Sequence, residues 1–348
     1  MSEPAPERPF DLDQALGTLG TRDRALILPH DNPDPDAMAA AFALGALLRH
    51  ARGIDSVVAY GGYVGRAENR AMVRALHLPL TPIDEVDLGD FPIIALVDTQ
   101  PETGNNSLPP GHRIDIVVDH HPPRSASARA PWCDVREGMG ASSTITYKYL
   151  VEKQVPLDSS LATALFYALK SETRDLGRES TMNEAEAYAD LVLQADHKLM
   201  YEIQHPRVRR EHFVAQSKAL RAAMMLGPLM VVNLGELDYP DLVAEIADLM
   251  LRYESAHWVV VMGRFHGRAY MSLRTDIEDG GAGHLMRRVV GAKGAAGGHG
   301  MIAGGRMFQR VEDDDTLNSV FDDVVDRFVK ELAITDAQPR SLLQPGDG

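Results

Sequence analysis

The chain has 348 residues, of which 45% are hydrophobic and 24% charged, and this composition is typical of a folded protein with two domains. Its net charge of −15 argues against a stable duplex nucleic-acid partner, which would require a broad basic surface. The single cysteine, Cys133, excludes a disulfide framework and a cysteine-based zinc site. No signal-peptide pattern is visible, and the apolar stretches are shorter than the roughly 20 residues that span a bilayer. We therefore expect a cytoplasmic protein with no membrane partner.

In the first half of the chain, apolar runs rich in β-branched residues alternate with helix-like segments. The predicted strands are 25–28, 56–60, 92–97 and 114–118, and the predicted helices are 37–50, 64–77 and 141–153. Continuous apolar strands between helices are typical of a parallel sheet that is covered on both faces. We therefore predict an α/β fold with a doubly wound parallel sheet.

In the second half, helices dominate from 158 to about 226 and strand-like runs follow them. Predicted strands cover 228–234, 257–265 and 268–275, with helices near 241–252 and 282–290. This pattern predicts a smaller α/β domain with a mixed sheet, joined to the first by a helical linker. The expected boundaries are an N-terminal extension at 1–20, a first domain at 21–205, a connecting helix at 206–226, a second domain at 227–334 and a flexible tail at 335–348.

Acidic and histidine residues follow three of the predicted strands. The residues concerned are His30, Asp34 and Asp36 after the first strand, Asp98 after the third, and Asp119, His120 and His121 after the fourth. The carboxyl ends of parallel strands share one edge of a sheet, so these side chains can converge. Clustered carboxylates repel unless a cation neutralises them, and this ligand set suits Mn²⁺, Mg²⁺, Fe²⁺ or Zn²⁺. The pattern predicts a metal site, with two cations sharing one carboxylate as a plausible arrangement.

Each group also has a simpler interpretation when it is considered alone. The Asn32-Pro33 and Asp34-Pro35 pairs are typical of turns, and Asp31 and Asp34 could serve only as turn and helix-cap residues. Asp98 could be a turn residue, and His120 and His121 could be ordinary loop residues. The occurrence of all three groups at predicted strand ends favours the metal site.

These motifs resemble those of the DHH phosphoesterase superfamily. The matching residues are His30-x-x-x-Asp34-x-Asp36, Val97-Asp98-Thr99 and Asp119-His120-His121. The stretch GAAGGHGMIAGGR at 294–306 resembles the signature of the DHH-associated domain of the first type, so the resemblance covers roughly residues 20–330.

The resemblance implies a role for each motif residue. His30, Asp34 and Asp98 would hold one metal ion, and Asp36, Asp98 and His120 would hold the other, with Asp98 bridging. Asp119 would orient a histidine by a hydrogen bond, and His121 would face the substrate phosphate. We therefore expect catalytic roles for Asp98, Asp119 and His121.

The fourth motif departs from the family pattern. Family members usually have an Asp-Thr pair here, whereas this chain has Glu172 followed by Thr173. Either Glu172 or Asp175 would supply the remaining acidic metal ligand, and a solvated loop with capping acids is the alternative.

The glycine-rich segment predicts an anion-binding surface in the second domain. Glycines permit positive φ and allow backbone N–H groups to approach a phosphate closely. The expected substrate-binding residues are Arg274, Gly297, Gly298, His299 and Arg306. A glycine-rich loop without this context would be only a flexible connection.

The resemblance implies a metal-dependent phosphoesterase that hydrolyses short RNA or DNA oligonucleotides or dinucleotides to nucleoside 5′-monophosphates. The expected cofactors are two divalent cations, Mn²⁺ first, with Mg²⁺ or another divalent cation as alternatives. Some relatives also act on 3′-phosphoadenosine 5′-phosphate. A RecJ-type single-strand DNA exonuclease and a catalytically weakened nucleotide-binding sensor are the alternative functions, and the resemblance leaves a homodimer open.

Overall fold

Two units make up the chain, and each has its own sheet. A computed structural model describes residues 10–178, 180–278, 280–335 and 338–343, except for the side chain of His299. The first unit covers residues 1–206 and the second covers residues 207–348. Among the described helices, none is both long enough and apolar enough to cross a membrane.

The first unit contains six strands and seven helices in its described part. The strands are β1 (Arg24–Pro29), β2 (Asp55–Tyr60), β3 (Leu80–Pro82), β4 (Ile93–Val97), β5 (Ile116–Asp119) and β6 (Trp132–Val135). The helices are α1 (Leu12–Gly17), α2 (Pro35–Arg52), α3 (Ala67–Ala75), α4 (Ser142–Glu152), α5 (Ser159–Glu172), α6 (Met182–Val192) and α7 (His197–Gln204). The strands are all parallel, in the order β3-β2-β1-β4-β5-β6. The predicted α/β fold with a parallel sheet is confirmed.

Strand β4 shows why its sequence is a continuous apolar run. Ile93, Ala95 and Val97 enter the core cluster that also contains buried residues of α2, α4 and α5. Ile94 and Leu96 point to the opposite face and enter a second, smaller cluster. Successive side chains of a strand alternate between faces, so a strand buried on both sides requires apolar residues at every position.

Some short elements of the first unit were not predicted. Helix α1 lies within the segment that we predicted as an extension, yet Leu12, Leu16 and Leu19 are buried in the main core. Strands β3 and β6 have only three and four residues, which is too short for a clear periodic pattern. Tertiary pairing, rather than a local signal, defines these two strands.

The second unit contains a mixed sheet, as predicted. Its strands are β7 (Met224–Leu226), β8 (Leu229–Glu236), β9 (Trp258–Phe265), β10 (Arg268–Thr275), β11 (Gly294–His299), β12 (Ile302–Arg310) and β13 (Arg340–Ser341). Its helices are α8 (Arg210–Ala222), α9 (Leu242–Met250), α10 (Ala282–Val290) and α11 (Asp314–Glu331). The strand order is β11-β12-β10-β9-β8-β7-β13, in which β8 and β9 are parallel and the other neighbours are antiparallel.

Three segments of the second unit differ from the expected elements. The connecting helix expected at 206–226 is helix α8, which ends at Ala222, and β7 then pairs with β8. In the expected tail, residues 340–341 pair with β7, whereas residues 336–337 and 344–348 lie outside the described part. The glycine-rich segment, expected as a loop, forms β11 and most of β12.

A buried polar cluster ties β6 to α4 in the first unit. The Asp134 carboxylate accepts hydrogen bonds from the Arg136 guanidinium at 2.7–3.1 Å and from the Tyr149 hydroxyl. Burial raises the pKa of the Tyr149 hydroxyl well above its ordinary value, and the Asp134 charge raises it further. The Tyr149 ring packs edge-on against Trp132, with ring centroids 5.8 Å apart. The hydroxyl group therefore satisfies a buried carboxylate inside an aromatic core.

The substitution Tyr149→Phe tests this cluster. We expect the free energy of unfolding of the first unit to fall by about 1–3 kcal/mol, because a buried carboxylate oxygen loses a donor. Urea denaturation followed by tryptophan fluorescence measures the change, since Trp132 contacts the substituted ring. Tyr201→Phe is the matched control, because Tyr201 is 64% exposed. Equal denaturation curves for the two variants would contradict the expectation.

Candidate metal centre

The register of three adjacent strands brings the predicted site residues to one edge of the first sheet. Pro29 of β1 pairs with Val97 of β4, and Val97 is also level with Val118 of β5. His30 and Asp98 are therefore the first residues beyond β1 and β4, and Asp119 is the last residue of β5. The strand order reverses between β1 and β4, and open α/β sheets bind ligands in the crevice at such a point.

Asp98 lies at the centre of this edge. Its side chain is almost fully buried, and its two carboxylate oxygens face different histidines. Oδ2 lies 3.5 Å from Nε2 of His30, and Oδ1 lies 3.5 Å from Nε2 of His120. Ser142 Oγ donates a hydrogen bond to Oδ1 at 2.8 Å. Asp98 has a φ of +57°, a left-handed conformation that aspartate tolerates better than most residues.

Backbone carbonyls orient the two histidine rings. His30 Nδ1 lies 2.9 Å from the carbonyl oxygen of Asp31, and His120 Nδ1 lies 3.1 Å from that of Met139. A carbonyl oxygen can only accept, so each Nδ1 carries a proton and donates it. Nε2 of each ring is then the atom available to a cation, which is the usual arrangement of metal-binding histidines.

Among the residues that the structure describes, two groups of side chains meet the geometric condition for holding a cation. His30, Asp34 and Asp98 form one group, and Asp98, His120 and His121 form the other. Within each group, one potential ligand atom per residue lies within 4.8 Å of the others. Asp98 belongs to both groups, as a bridging ligand must. Carboxylate oxygens and imidazole nitrogens suit a divalent cation, so these residues fit the expected metal.

The pKa values of the buried carboxylates show how much negative charge the site concentrates. Burial raises the pKa of Asp98 to about 7, with His121 and His30 opposing the rise. Burial, with added repulsion from Asp98, raises the pKa of Asp36 to about 8. Burial alone would lower the pKa of His30, but the bond to Asp34 and the nearby carboxylates raise it to about 10. The site therefore favours positive charge, which is the electrostatic condition for binding a cation.

Asp34 is placed for both of the roles considered for it. Its Oδ1 accepts a hydrogen bond from Ala37 N at 3.0 Å and so caps the N-terminus of α2. Its Oδ2 lies 3.7 Å from His30 Nε2, within the first group. The helix-cap interpretation and the metal-ligand interpretation are therefore compatible, because each uses a different oxygen.

Asp36 has partners that sequence reasoning did not anticipate. Its two oxygens accept hydrogen bonds from the backbone N–H groups of Ser142 and Ser143 at 2.8 and 2.9 Å. These are the first two residues of α4, whose own N-cap residue, Ala141, provides no side-chain cap. Among the described residues, Asp36 is in neither ligand group. The expected ligand thus caps a helix that lies more than 100 residues further along the chain.

Asp119 fixes the orientation of His121. Asp119 Oδ1 accepts a hydrogen bond from His121 Nδ1 at 2.8 Å and another from His120 N at 2.9 Å. Burial alone would lower the pKa of His121, but the bond to Asp119 and the charge of Asp98 raise it to about 9. The His121 side chain is 38% exposed, so part of it is accessible to solvent.

Neither candidate of the fourth motif joins a ligand group in the part of the chain that is described. Glu172 Oε1 lies 3.1 Å from Arg178 Nη2, so this carboxylate is already paired with a buried guanidinium. Asp175 is largely exposed and accepts hydrogen bonds from Lys170 and, at 3.2 Å, from the hydroxyl of Tyr188. Glu172 is nevertheless close enough to Asp36 to raise the pKa of that carboxyl.

The residues between the predicted ligands hold neighbouring loops together. Asn32 Oδ1 accepts a hydrogen bond from Tyr63 N at 2.8 Å, and Asp31 Oδ2 accepts one from Ser107 Oγ at 2.9 Å. A Cβ atom at Gly61 would lie 2.2 Å from Asp31 Oδ1, so a larger residue at this position would displace the Asp31 side chain.

The expected substrate-binding residues lie within the second unit, on β10, β11 and β12. Arg274 is buried, and its guanidinium donates to Asp248 Oδ1 at 2.6 Å and to Ser272 Oγ at 2.7 Å. Gly297 and Gly298 are exposed on β11, the edge strand of the sheet, and Arg306 is half-buried on β12. The side chain of His299 lies outside the described part. These contacts connect Arg274 of β10 to helix α9 and to a neighbouring residue of its own strand.

Comparison with known proteins gives one family match. The model of the DHH family, N-terminal domain, matches residues 24–169. An uncharacterised protein of Methanocaldococcus jannaschii is 31% identical over 88% of this chain, which spans 63% of that protein. A probable manganese-dependent inorganic pyrophosphatase of Staphylococcus aureus is 26% identical over 43% of this chain and 48% of its own length. The chain therefore spans less than two thirds of either relative.

A solved structure with a similar fold is also found. The crystal structure of an exopolyphosphatase-related protein from Bacteroides fragilis aligns with a TM-score of 0.71 and 12% sequence identity. The alignment covers 94% of this chain and 99% of the other. At this identity, the likeness concerns the fold alone.

Asp98→Asn tests the shared ligand. We expect the dissociation constant for Mn²⁺ to rise by more than about 100-fold. Loss of a residue that only orients a metal ligand already weakens metal affinity by about 10- to 100-fold, and Asp98 is itself a candidate ligand in both groups. Isothermal titration calorimetry measures the affinity, and circular dichroism checks that the variant is folded. Asp84→Asn, at an exposed position, should bind Mn²⁺ as the unmodified protein does. Unchanged Mn²⁺ binding by folded Asp98→Asn would refute the ligand assignment.

Proposed function

We propose, from the premise that residues 24–169 are a DHH family N-terminal domain, that this protein is a metal-dependent phosphoesterase acting on short oligonucleotides or dinucleotides. The products would be nucleoside 5′-monophosphates, and 3′-phosphoadenosine 5′-phosphate is a further candidate substrate. One observation carries the proposal: buried Asp98 lies 3.5 Å from the Nε2 atoms of both His30 and His120, at the switch point of the sheet. Such an arrangement supports a binuclear hydrolytic centre.

The proposed cofactor is a pair of divalent cations, with Mn²⁺ preferred and Mg²⁺ as the alternative. The name of the pyrophosphatase relative supports manganese. His30, Asp34 and Asp98 would hold one ion, and Asp98 and His120 would contribute to the other, with Asp36 and either Glu172 or Asp175 as further candidate ligands. When bound, the cations would supply Lewis-acid activation of water and of the phosphoryl group.

The protein groups around the centre have separate proposed roles. Asp98, which is nearly fully buried, would bridge the two ligand groups. His121, which is partly exposed, would donate a hydrogen bond from Nε2 to a phosphate oxygen or to the leaving oxygen. Asp119 would keep the His121 ring in the required orientation through Nδ1, because a carboxylate can only accept that proton.

The glycine-rich strand of the second unit is proposed to bind a phosphate group. Gly297 and Gly298 are exposed on an edge strand, where backbone N–H groups can approach a phosphate without obstruction by side chains. Arg306 lies opposite Ala295 of that strand in the register of β11 and β12.

A nucleotide sensor with little or no turnover is the second candidate function. Two observations favour it: Glu172 is paired with Arg178, and both Asp36 oxygens are used by backbone N–H groups of α4. These contacts leave the second cation with fewer available protein ligands. A centre that binds one cation well could still bind a nucleotide without hydrolysing it.

A panel of defined substrates tests the proposal. Purified protein with Mn²⁺ or Mg²⁺ would be incubated with dinucleotides, RNA and DNA oligonucleotides of increasing length, 3′-phosphoadenosine 5′-phosphate and inorganic pyrophosphate, and the products separated by chromatography. We expect release of nucleoside 5′-monophosphates from the shortest substrates and loss of activity with EDTA. His121→Asn should lower kcat by about 10²- to 10⁴-fold, the usual contribution of a positioned proton donor.

Other outcomes separate the alternatives. Nucleotide binding without any product would favour the sensor, and preferential digestion of long single-stranded DNA would favour a RecJ-type exonuclease. Hydrolysis of pyrophosphate alone would refute the proposed substrate class. Hydrolysis that persists in Asp98→Asn would refute the proposed centre.

A further inference from the structure

We infer that Gln100 is a positioning residue for the proposed reaction, because its side-chain amide holds Asp119 in the orientation that fixes His121. Gln100 lies two residues after Asp98, in the segment that follows β4, and its side chain is buried. This inference rests on the proposed function, since His121 is the group that would meet the substrate. No sequence motif pointed to Gln100.

The amide nitrogen of Gln100 holds the segment that follows β5. Nε2 donates a hydrogen bond to Asp119 Oδ2 at 2.6 Å and another to the carbonyl oxygen of Pro122 at 3.1 Å. Both acceptors lack a proton to donate, so only an N–H group can fill this position. The Pro122 contact lies one residue beyond His121, and the Asp119 contact lies two residues before it. The segment that carries His121 is therefore held on both sides.

The amide oxygen of Gln100 contacts the same segment a few residues later. Oε1 accepts hydrogen bonds from Arg124 N at 2.7 Å and from Ser127 Oγ at 2.8 Å. A backbone N–H group can only donate, so the amide cannot be reversed without losing contacts at both ends. All four contacts reach residues between 119 and 127. A glutamate could retain the contacts of the oxygen but could not donate to Asp119.

The hydrogen bond from Gln100 gives the two Asp119 oxygens different partners. Oδ2 is occupied by Gln100, which leaves Oδ1 to accept from His121 Nδ1 at 2.8 Å and from two backbone N–H groups. A buried carboxylate that loses one partner must turn or take up a proton to satisfy the exposed oxygen. Either response would weaken the bond to His121 Nδ1. His30 and His120 are oriented by backbone carbonyls and do not depend on Gln100.

The backbone of Gln100 is held independently of its side chain. Its carbonyl oxygen accepts hydrogen bonds from Thr103 Oγ1 at 2.8 Å and from Asn106 Nδ2 at 3.1 Å. A side-chain substitution at this position should therefore leave the segment after β4, and Asp98 with it, in place. The expected defect concerns His121 and not the proposed ligands His30, Asp34, Asp98 and His120.

The substitutions Gln100→Glu and Gln100→Met test the inference. Glutamate keeps the shape but places a second carboxylate against Asp119, and methionine removes the hydrogen bonds without adding a charge. Gln194→Glu, on an exposed part of the chain after α6, is the matched control for the chemical change. Thermal unfolding shows whether each variant is folded. If Gln100→Glu does not fold, Gln100→Met is used for the test.

Two measurements report on His121 and on the metal ligands separately. Nuclear magnetic resonance of protein with ¹⁵N-labelled histidine, free of metal and with diamagnetic Mg²⁺, detects the Nδ1–H groups of His30, His120 and His121. We expect the His121 signal to shift or to be lost in both Gln100 variants, while the signals of His30 and His120 stay. The dissociation constant for Mn²⁺ should not change, whereas kcat on the best dinucleotide should fall by about 10- to 100-fold at constant KM.

Several results would overturn the inference. An unchanged His121 signal in folded Gln100 variants would show that Asp119 does not need the amide. If weaker Mn²⁺ binding accounted for the whole loss of kcat, Gln100 would act by positioning the metal ligands and not His121. An altered His121 signal with unchanged kcat would show that Gln100 positions His121 but that this positioning does not affect the reaction. If the unmodified protein hydrolyses no phosphoester, the proposed function fails, while the His121 signal still reports whether Gln100 holds Asp119.

Discussion

One buried carboxylate, shared between two imidazole rings, is the constraint on which the first unit depends. Asp98 is 3% exposed and faces His30 with one oxygen and His120 with the other. Burial of a charge is costly unless opposite charge and hydrogen bonds compensate, so the surrounding structure must supply both. The parallel sheet does this at its switch point, where β1, β4 and β5 end side by side.

Backbone and hydroxyl donors supply much of the compensation. The N-terminus of α4 directs two N–H groups to Asp36, and Ser142 Oγ donates to Asp98. The N-terminus of a helix also carries partial positive charge, which stabilises nearby carboxylates. The same helix is bound to β6 through Tyr149 and Asp134. The aromatic core beneath the site therefore holds in place the helix end that stabilises its charges.

The histidines of the centre are oriented in two different ways, and this difference supports the separate roles proposed for them. His30 and His120 donate Nδ1–H to backbone carbonyls, which are neutral and rigid. His121 donates to the Asp119 carboxylate, which is itself held by Gln100. A carbonyl partner fixes a ring for ligation, whereas a carboxylate partner also stabilises a protonated ring. The two adjacent histidines, 120 and 121, thus suit ligation and proton donation respectively.

Local sequence patterns were sufficient to predict seven strands and the convergence of the three polar groups. The predicted strands are β1, β2, β4, β5, β8, β9 and β10. Those features follow from local apolar runs and from the fact that parallel strands end at a common edge. Only the tertiary structure decided that Asp36 caps α4, that Glu172 pairs with Arg178 and that Gln100 holds Asp119. The physical reason is that a carboxylate or amide has the same local pattern whatever its partner. Its choice between a cation, a helix end and a guanidinium depends on which distant groups the packed chain brings within hydrogen-bond distance.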